Sequence, residues 1–187
     1  MKLRQAMTAK RSLLSLQDKI DAAESFKIHF LAAVSKPDLK GSIIACYQAM
    51  RNEVDLSPLI NALSQDQTLR FALPLVADDG RMVFKQWDIK APLYKGRFGQ
   101  PEPSPESPTI TPHIIIAPLL AFDEKGYRLG YGKGHYDGAI KTARLAQKIV
   151  VIGAAYEFQK STALPIEGHD EPLDMVITEQ KIYRFRK

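Results

Sequence analysis

Between residues 113 and 156 the chain runs from HIIIAPLLAFD through a glycine-rich loop and a helical stretch to KIVVIGAAY. The two apolar runs are of strand length and lack a polar alternation, so they read as strands buried on both faces. Asp123-Glu124-Lys125-Gly126 turns the chain, and the loop opens a helix over about residues 135 to 147. Strand, loop, helix, strand is a βαβ crossover, which predicts parallel strands joined with right-handed sense. A parallel pair needs helices over both sheet faces. The expected fold class is therefore α/β: a three-layer α/β/α domain around a mainly parallel sheet.

The rest of the chain supplies the other layers. Residues 3 to 14 read as a short basic helix with Leu3, Met7 and Leu14 on one side and Arg4 and Arg11 on another. Those basic residues face no acid within the segment, the pattern of a solvated helix face. Ser15 followed by Asp18 signals an N-cap, and Ile20, Ala23, Phe26, Lys27, Phe30, Leu31 and Val34 trace an amphipathic helix up to Pro37. GSIIACYQA reads as a strand, and Leu56 to Leu63 as a helix capped by Ser57, with Pro58 in its first turn. TLRFALPLVA and RMVFKQWD flank an Asp79-Gly80 turn as a hairpin, and LDMVITEQKIYRF closes the chain as two short strands. The proline-rich GQPEPSPESPTITP has the composition of a linker, but the lengths on either side do not suit two domains. It reads as a loop crossing the surface of a single domain spanning residues 1–187.

Composition excludes several function classes. No run reaches the roughly 18 to 20 apolar residues of a membrane helix, and the N-terminal stretch lacks the apolar core of a signal peptide. A cytosolic location and no membrane partner are expected. Cys46 is the sole cysteine, so an internal disulfide is excluded and cysteine chemistry is not indicated. The formal net charge of +5 favours an anionic partner. No long basic run or nucleic-acid-binding motif accompanies it, so nucleic acid is not the expected one.

The segment LGYGKGHYDGAI carries the chemistry, with glycines at 130, 132, 134 and 138. Glycine lets backbone N–H groups approach an anion without a Cβ in the way, and a following helix N-terminus completes a phosphate site. Lys133 would add a positive charge, and Asp137 in the first helical turn could hold Mg²⁺ beside a triphosphate. The loop is neither a P-loop, because Gly134 follows Lys133, nor a dinucleotide fingerprint, because position 135 is histidine. Taken alone it fits either a phosphate site or a tight structural turn, and His135 either a base or a donor at the helix start.

RLGYGKGHYD, preceded by IIIAPLLAFDEKG, resembles the signature of the 5-formyltetrahydrofolate cyclo-ligase family, roughly R-L-G-x-G-x-G-x-Y-D. YQAMRNEVD, FGQPEP, GAAYEFQ, Leu164-Pro165, His169-Asp170 and LDMVITE resemble further family segments in order, over nearly the whole chain. The resemblance implies kinship with the sugar-phosphate isomerase and CoA-transferase-like folds. It implies an enzyme that uses ATP and Mg²⁺ to cyclise 5-formyltetrahydrofolate, carrying one or more glutamates, through a phosphorylated formyl group. The second possibility is a relative without this activity that keeps a nucleotide-binding module. A monomer is expected.

Carried over by position, the resemblance assigns the ATP site to Lys2, Leu3 and Arg4 together with Leu129, Gly130, Tyr131, Gly132, Lys133, Gly134, His135, Tyr136 and Asp137. Lys133 and Arg4 are the residues expected to serve phosphoryl transfer, and Asp137 the metal. Gln48, Glu53, Phe98 and Tyr136 fall where the folate is bound. The sequence departs from the pattern at Lys2, which sits directly before Leu3, at Gln100 in place of isoleucine, and at Gly138 where arginine is common.

Overall fold

Residues 2–96 and 99–185 are described by a computed structural model, apart from the side chains of Lys36 and Asp38. The βαβ unit is present: β6 (Ile114–Pro118) pairs in parallel with β9 (Val150–Ala154), and α5 (His135–Ala146) lies between them in the chain. Beside β6 lie β1 (Ile43–Ala45) and β2 (Arg70–Val76), and beside β9 lies β10 (Met175–Ile177), all parallel to their neighbours. Two antiparallel edge strands, β3 (Met82–Trp87) and β11 (Ile182–Arg184), complete the seven-stranded order β11-β10-β9-β6-β1-β2-β3.

Alternate residues of each buried strand point to opposite faces, which gives two cores. On one face Ile44, Leu73, Ile116 and Ile152 pack against α2 (Leu16–Ala33) and α4 (Ser57–Leu63), with the one-turn α3 (Lys36–Leu39) between them in the chain, through Phe26, Phe30, Leu59 and Leu63. On the other, Ile43, Ile115, Val151 and Val176 pack against Ala139, Ile140 and Ala143 of α5. Three layers result. Phe26 and Phe30 are almost fully buried, and each such side chain stabilises the fold by about 1.5–3 kcal/mol.

Several local expectations are corrected. HIIIAPLLAFD is two strands, because Pro118 ends β6 and β7 (Ala121–Phe122) turns back onto β8 (Arg128–Leu129). The carbonyls at the break are taken by Gln159 Nε2, which donates to Leu119 (2.8 Å) and Leu120 (3.0 Å). Ile20 and Leu31 are exposed: the buried face of α2 is Ala22, Ala23, Phe26 and Phe30, and at roughly 100° per residue both isoleucine and leucine fall well round from it. In α1 (Lys2–Ser12) the apolar and basic stripes are one stripe, since Met7 and Arg11 are both buried. They lie one turn apart, and the guanidinium finds polar partners beneath the helix.

Most other local signals match. Ser15 and Asp18 form a reciprocal capping box, Gly80 takes the left-handed turn of the hairpin, and Pro58 sits in the first turn of α4. The expected Ser57 cap is corrected: Ser57 is itself the first helical residue, and its N–H donates to Asp55 Oδ1 at 2.9 Å. The proline-rich stretch crosses the surface, pairing through β5 (Pro101–Glu102) with β4 (Tyr94–Lys95) and through an antiparallel bridge of Thr109 to Lys85 of β3. No helix among the described residues is long and apolar enough to cross a membrane.

The chain moves from β1 to β2 in one direction and later to β6 and β9 in the other. Such a reversal leaves a crevice beyond the carboxyl ends of the strands.

Candidate active site

A cleft of about 800 Å³ occupies that crevice. Tyr47 and Gln48 after β1, Pro74 and Val76 of β2 and Pro118 of β6 form its floor, while the glycine-rich loop, Arg4 and the segment around His169 and Asp170 form its rim. The volume lies within the range of small-molecule sites.

At one end stand the loop and the start of α5. Gly132 (φ +87°) and Gly134 (φ +65°) take backbone conformations that L side chains rarely adopt, and Gly134 is the N-cap residue of α5 without a capping side chain. The positive end of the helix dipole stands behind this turn. Arg4 reaches in from α1, its Nε donating to the Gly130 carbonyl at 2.8 Å. Lys133 is exposed and makes no ion pair among the described residues. Burial and the nearby Lys133 ammonium push the His135 imidazole below the usual histidine range.

Asp137 is fixed from outside the loop. Its Oδ1 accepts from Arg128 Nη2 at 2.8 Å and from the Glu171 N–H at 3.1 Å. The Arg128 guanidinium also donates to the Glu171 carbonyl (2.8 Å), and Arg144 grips the Glu171 carboxylate at 2.6 Å and Asp174 at 3.2 Å. Burial lowers the Arg128 pKa while Asp137 opposes the shift. Among the described residues no three acidic, histidine or cysteine side chains cluster as a ready-made metal cage. Mg²⁺ rarely uses one: it is commonly held by one or two carboxylates plus phosphates and water. Asp137, with Asp170 in the same cleft wall, fits that mode.

At the other end stands Glu53, nine-tenths buried. Arg51 (φ 50°) and Asn52 (φ 60°) both take left-handed backbone, closing a turn in which the Glu53 N–H donates to the Met50 carbonyl at 3.0 Å. Asparagine tolerates that conformation and arginine does so at a cost, which places local strain beside the acid. The carboxylate returns over the turn: Oε2 accepts from the Met50 N–H at 3.0 Å and Oε1 from the Tyr131 hydroxyl at 3.2 Å. Burial raises the Glu53 pKa, opposed by the Met50 N–H, the Arg11 and Arg51 cations and the Tyr131 hydroxyl. Burial, reinforced by Glu53, also drives the Tyr136 hydroxyl far above the usual tyrosine range.

The structure brings most of the expected residues to one cleft: Arg4, Gln48, Glu53 and the whole segment Leu129 to Asp137 line it. Lys2 is exposed at the helix start and Leu3 packs against the small cluster of Leu120, Leu129 and Leu164, so neither is among its walls. Phe98 lies outside the described residues. Sequence reasoning left out Arg128, although it opens the signature, and Arg11, whose spacing of four from Met7 was the available signal. It also assigned no role to Glu102, a second buried acid in the cleft, which accepts from Gln100 Nε2 at 2.6 Å.

The profile of the 5-formyltetrahydrofolate cyclo-ligase family matches residues 1–179. A 5-formyltetrahydrofolate cyclo-ligase of Escherichia coli K12 is 30% identical over 155 residues, covering 80% of this chain and 84% of that one. The solved 5,10-methenyltetrahydrofolate synthetase of Mycoplasma pneumoniae superposes with a TM-score of 0.76 at 27% identity, over 95% of this chain and 97% of its own. The corresponding Aquifex aeolicus structure gives 0.79 at 31% identity, covering all of this chain and 92% of its own.

Proposed function

Because the chain belongs to the 5-formyltetrahydrofolate cyclo-ligase family, we propose that it cyclises 5-formyltetrahydrofolate to 5,10-methenyltetrahydrofolate with cleavage of ATP to ADP and phosphate. The single observation that carries this reading is the pairing, in one cleft, of a phosphate-type loop with a buried carboxylate acceptor. A pterin offers adjacent N–H donors, and Glu53 supplies an acceptor whose two oxygens are already oriented by Met50 and Tyr131. Gln48 stands on the same wall and would hold the folate beside it.

In the proposed chemistry the formyl oxygen takes the terminal phosphoryl group, and ADP departs. The neighbouring amine nitrogen then bonds to the activated formyl carbon, the carbon–oxygen bond breaks, phosphate leaves and the amine proton is lost. Such transfers depend on positioning and charge neutralisation more than on covalent help. Lys133 would neutralise charge on the transferred group, Arg4 would brace the loop at Gly130 and meet the phosphates, and the start of α5 would bring the positive end of its dipole. Asp137 would hold Mg²⁺ with its remaining oxygen, assisted by Asp170, and the ion would supply charge neutralisation between phosphates.

The test is direct. Purified protein incubated with 5-formyltetrahydrofolate, Mg²⁺ and ATP is expected to produce the near-ultraviolet absorbance of the methenyl product. Folded protein that gives no ATP-dependent signal would overturn the reading.

A further inference from the structure

Arg11 is among the largest fully buried side chains of the described residues, and neither a phosphate nor a folate contact is needed to explain why. It donates through Nη1 to the Leu119 carbonyl at 3.4 Å and through Nη2 to the Tyr131 hydroxyl. The same hydroxyl donates to Glu53 Oε1 at 3.2 Å, whereas the guanidinium itself is 4.0 Å from that carboxylate. The tyrosine oxygen therefore stands between cation and anion, accepting from one and donating to the other. With the Met50 N–H on Oε2, each carboxylate oxygen has its own donor and the plane of the group is fixed.

Tyr131 belongs to the glycine-rich loop, between Gly130 and Gly132. Its backbone is tied to α1 two turns away, where Arg4 Nε holds the Gly130 carbonyl at 2.8 Å. One face of one helix thus fixes both the backbone and the side chain of this position. Any change in loop backbone that accompanies phosphate binding acts on the hydroxyl that orients Glu53.

We propose that Tyr131, held by Arg11, is a positioning residue for the Glu53 carboxylate and couples the nucleotide loop to the folate end of the cleft. The proposal rests on the reading of Glu53 as the folate acceptor. The groups that face Glu53 are Arg11 from α1, Tyr47 after β1, Arg51 in the turn, Tyr131 from the loop, Tyr136 from α5 and Tyr156 after β9. Among these groups Glu53 alone is a carboxylate, and burial raises its pKa above the ordinary glutamate value.

The experiment measures 5-formyltetrahydrofolate binding against pH, with and without a non-hydrolysable ATP analogue, in four variants. Tyr131→Phe removes the hydroxyl and keeps the ring. It is expected to weaken folate binding about 10-fold, to move the acid limb of binding to higher pH because a hydrogen bond to the carboxylate is gone, and to abolish the effect of the nucleotide analogue on folate affinity. Arg11→Lys keeps the charge but shifts the donor, and combined with Tyr131→Phe it is expected to add little further loss, since both act through one hydroxyl. The substrate's own carboxylates titrate alike in every variant. If Glu53→Gln removes the acid limb while Tyr131→Phe leaves both limb and nucleotide effect in place, the positioning role is overturned and Glu53 stands. If Glu53→Gln leaves folate binding and its limb unchanged, the reading of Glu53 itself is overturned.

Discussion

The two ends of the cleft are built on opposite plans. At the glycine-rich end Gly132, Lys133 and Gly134 are exposed, and the lysine makes no ion pair among the described residues. At the acid end Glu53 is buried, with a donor on each oxygen and a cation behind the tyrosine. The difference follows from what each would bind. Phosphate oxygens carry their own charge and a loop of N–H groups can close around them, whereas a pterin edge is read by an acceptor already pointing the right way. Preorganisation is concentrated where the ligand brings the least charge, and its cost appears as burial of a carboxylate and two non-glycine residues in left-handed backbone.

The largest expected effect breaks the exposed end. Lys133→Ala should lower turnover about 10²- to 10³-fold, the range found when one donor to a developing charge is removed, and leave folate binding nearly unchanged by titration. Equal loss of both would mean that the two ends are not separate. Glu53→Gln should do the reverse, raising KM for folate about 10- to 100-fold, as expected for a lost hydrogen bond to a charged group, with a smaller change in kcat. In the unaltered protein folate affinity should fall as the solution is acidified, because the protonated carboxyl is no longer a full acceptor. Burial has raised the Glu53 pKa, so that fall should begin at a higher pH than for an exposed glutamate. A pH profile of KM identical to that of Glu53→Gln would count against it.

The ends also differ in how far the sequence discloses them. The glycine-rich loop was legible because its chemistry is local: alternating glycines, a lysine and a helix start occupy ten consecutive residues. The α/β layering was legible for a similar reason, since buried strands and amphipathic helices carry their own periodicity. Glu53 came only from the resemblance, and Arg11 not at all. A basic residue on a short helix with no acid nearby in sequence has every local mark of a solvated charge. What buries Arg11 is Tyr131, 120 residues away, together with the carbonyl freed where Pro118 ends a strand. The split of HIIIAPLLAFD, the exposure of Ile20 and Leu31 and the burial of Arg11 share this cause, because each depends on what packs opposite.

The smallest expected effect concerns how each end manages backbone of positive φ. Gly134 (φ +65°) has open space where a Cβ would stand, so Gly134→Ala should cost stability through backbone conformation alone, about 1 kcal/mol, read as a shift in urea midpoint. Asn52 (φ 60°) already occupies the same region with a side chain that tolerates it, and Asn52→Gly should change stability by only about a few tenths of a kcal/mol. The contrast has a functional consequence. A glycine at 134 keeps the loop able to adjust around a ligand, and Gly134→Ala should therefore weaken binding of a non-hydrolysable ATP analogue more than it lowers stability. Asn52→Gly should loosen the turn that aims Glu53 and raise KM for folate while leaving nucleotide binding alone. If both substitutions affected both ligands equally, the division between an adaptable end and a fixed end would fail, and the cleft would have to be treated as one cooperative unit joined through Tyr131.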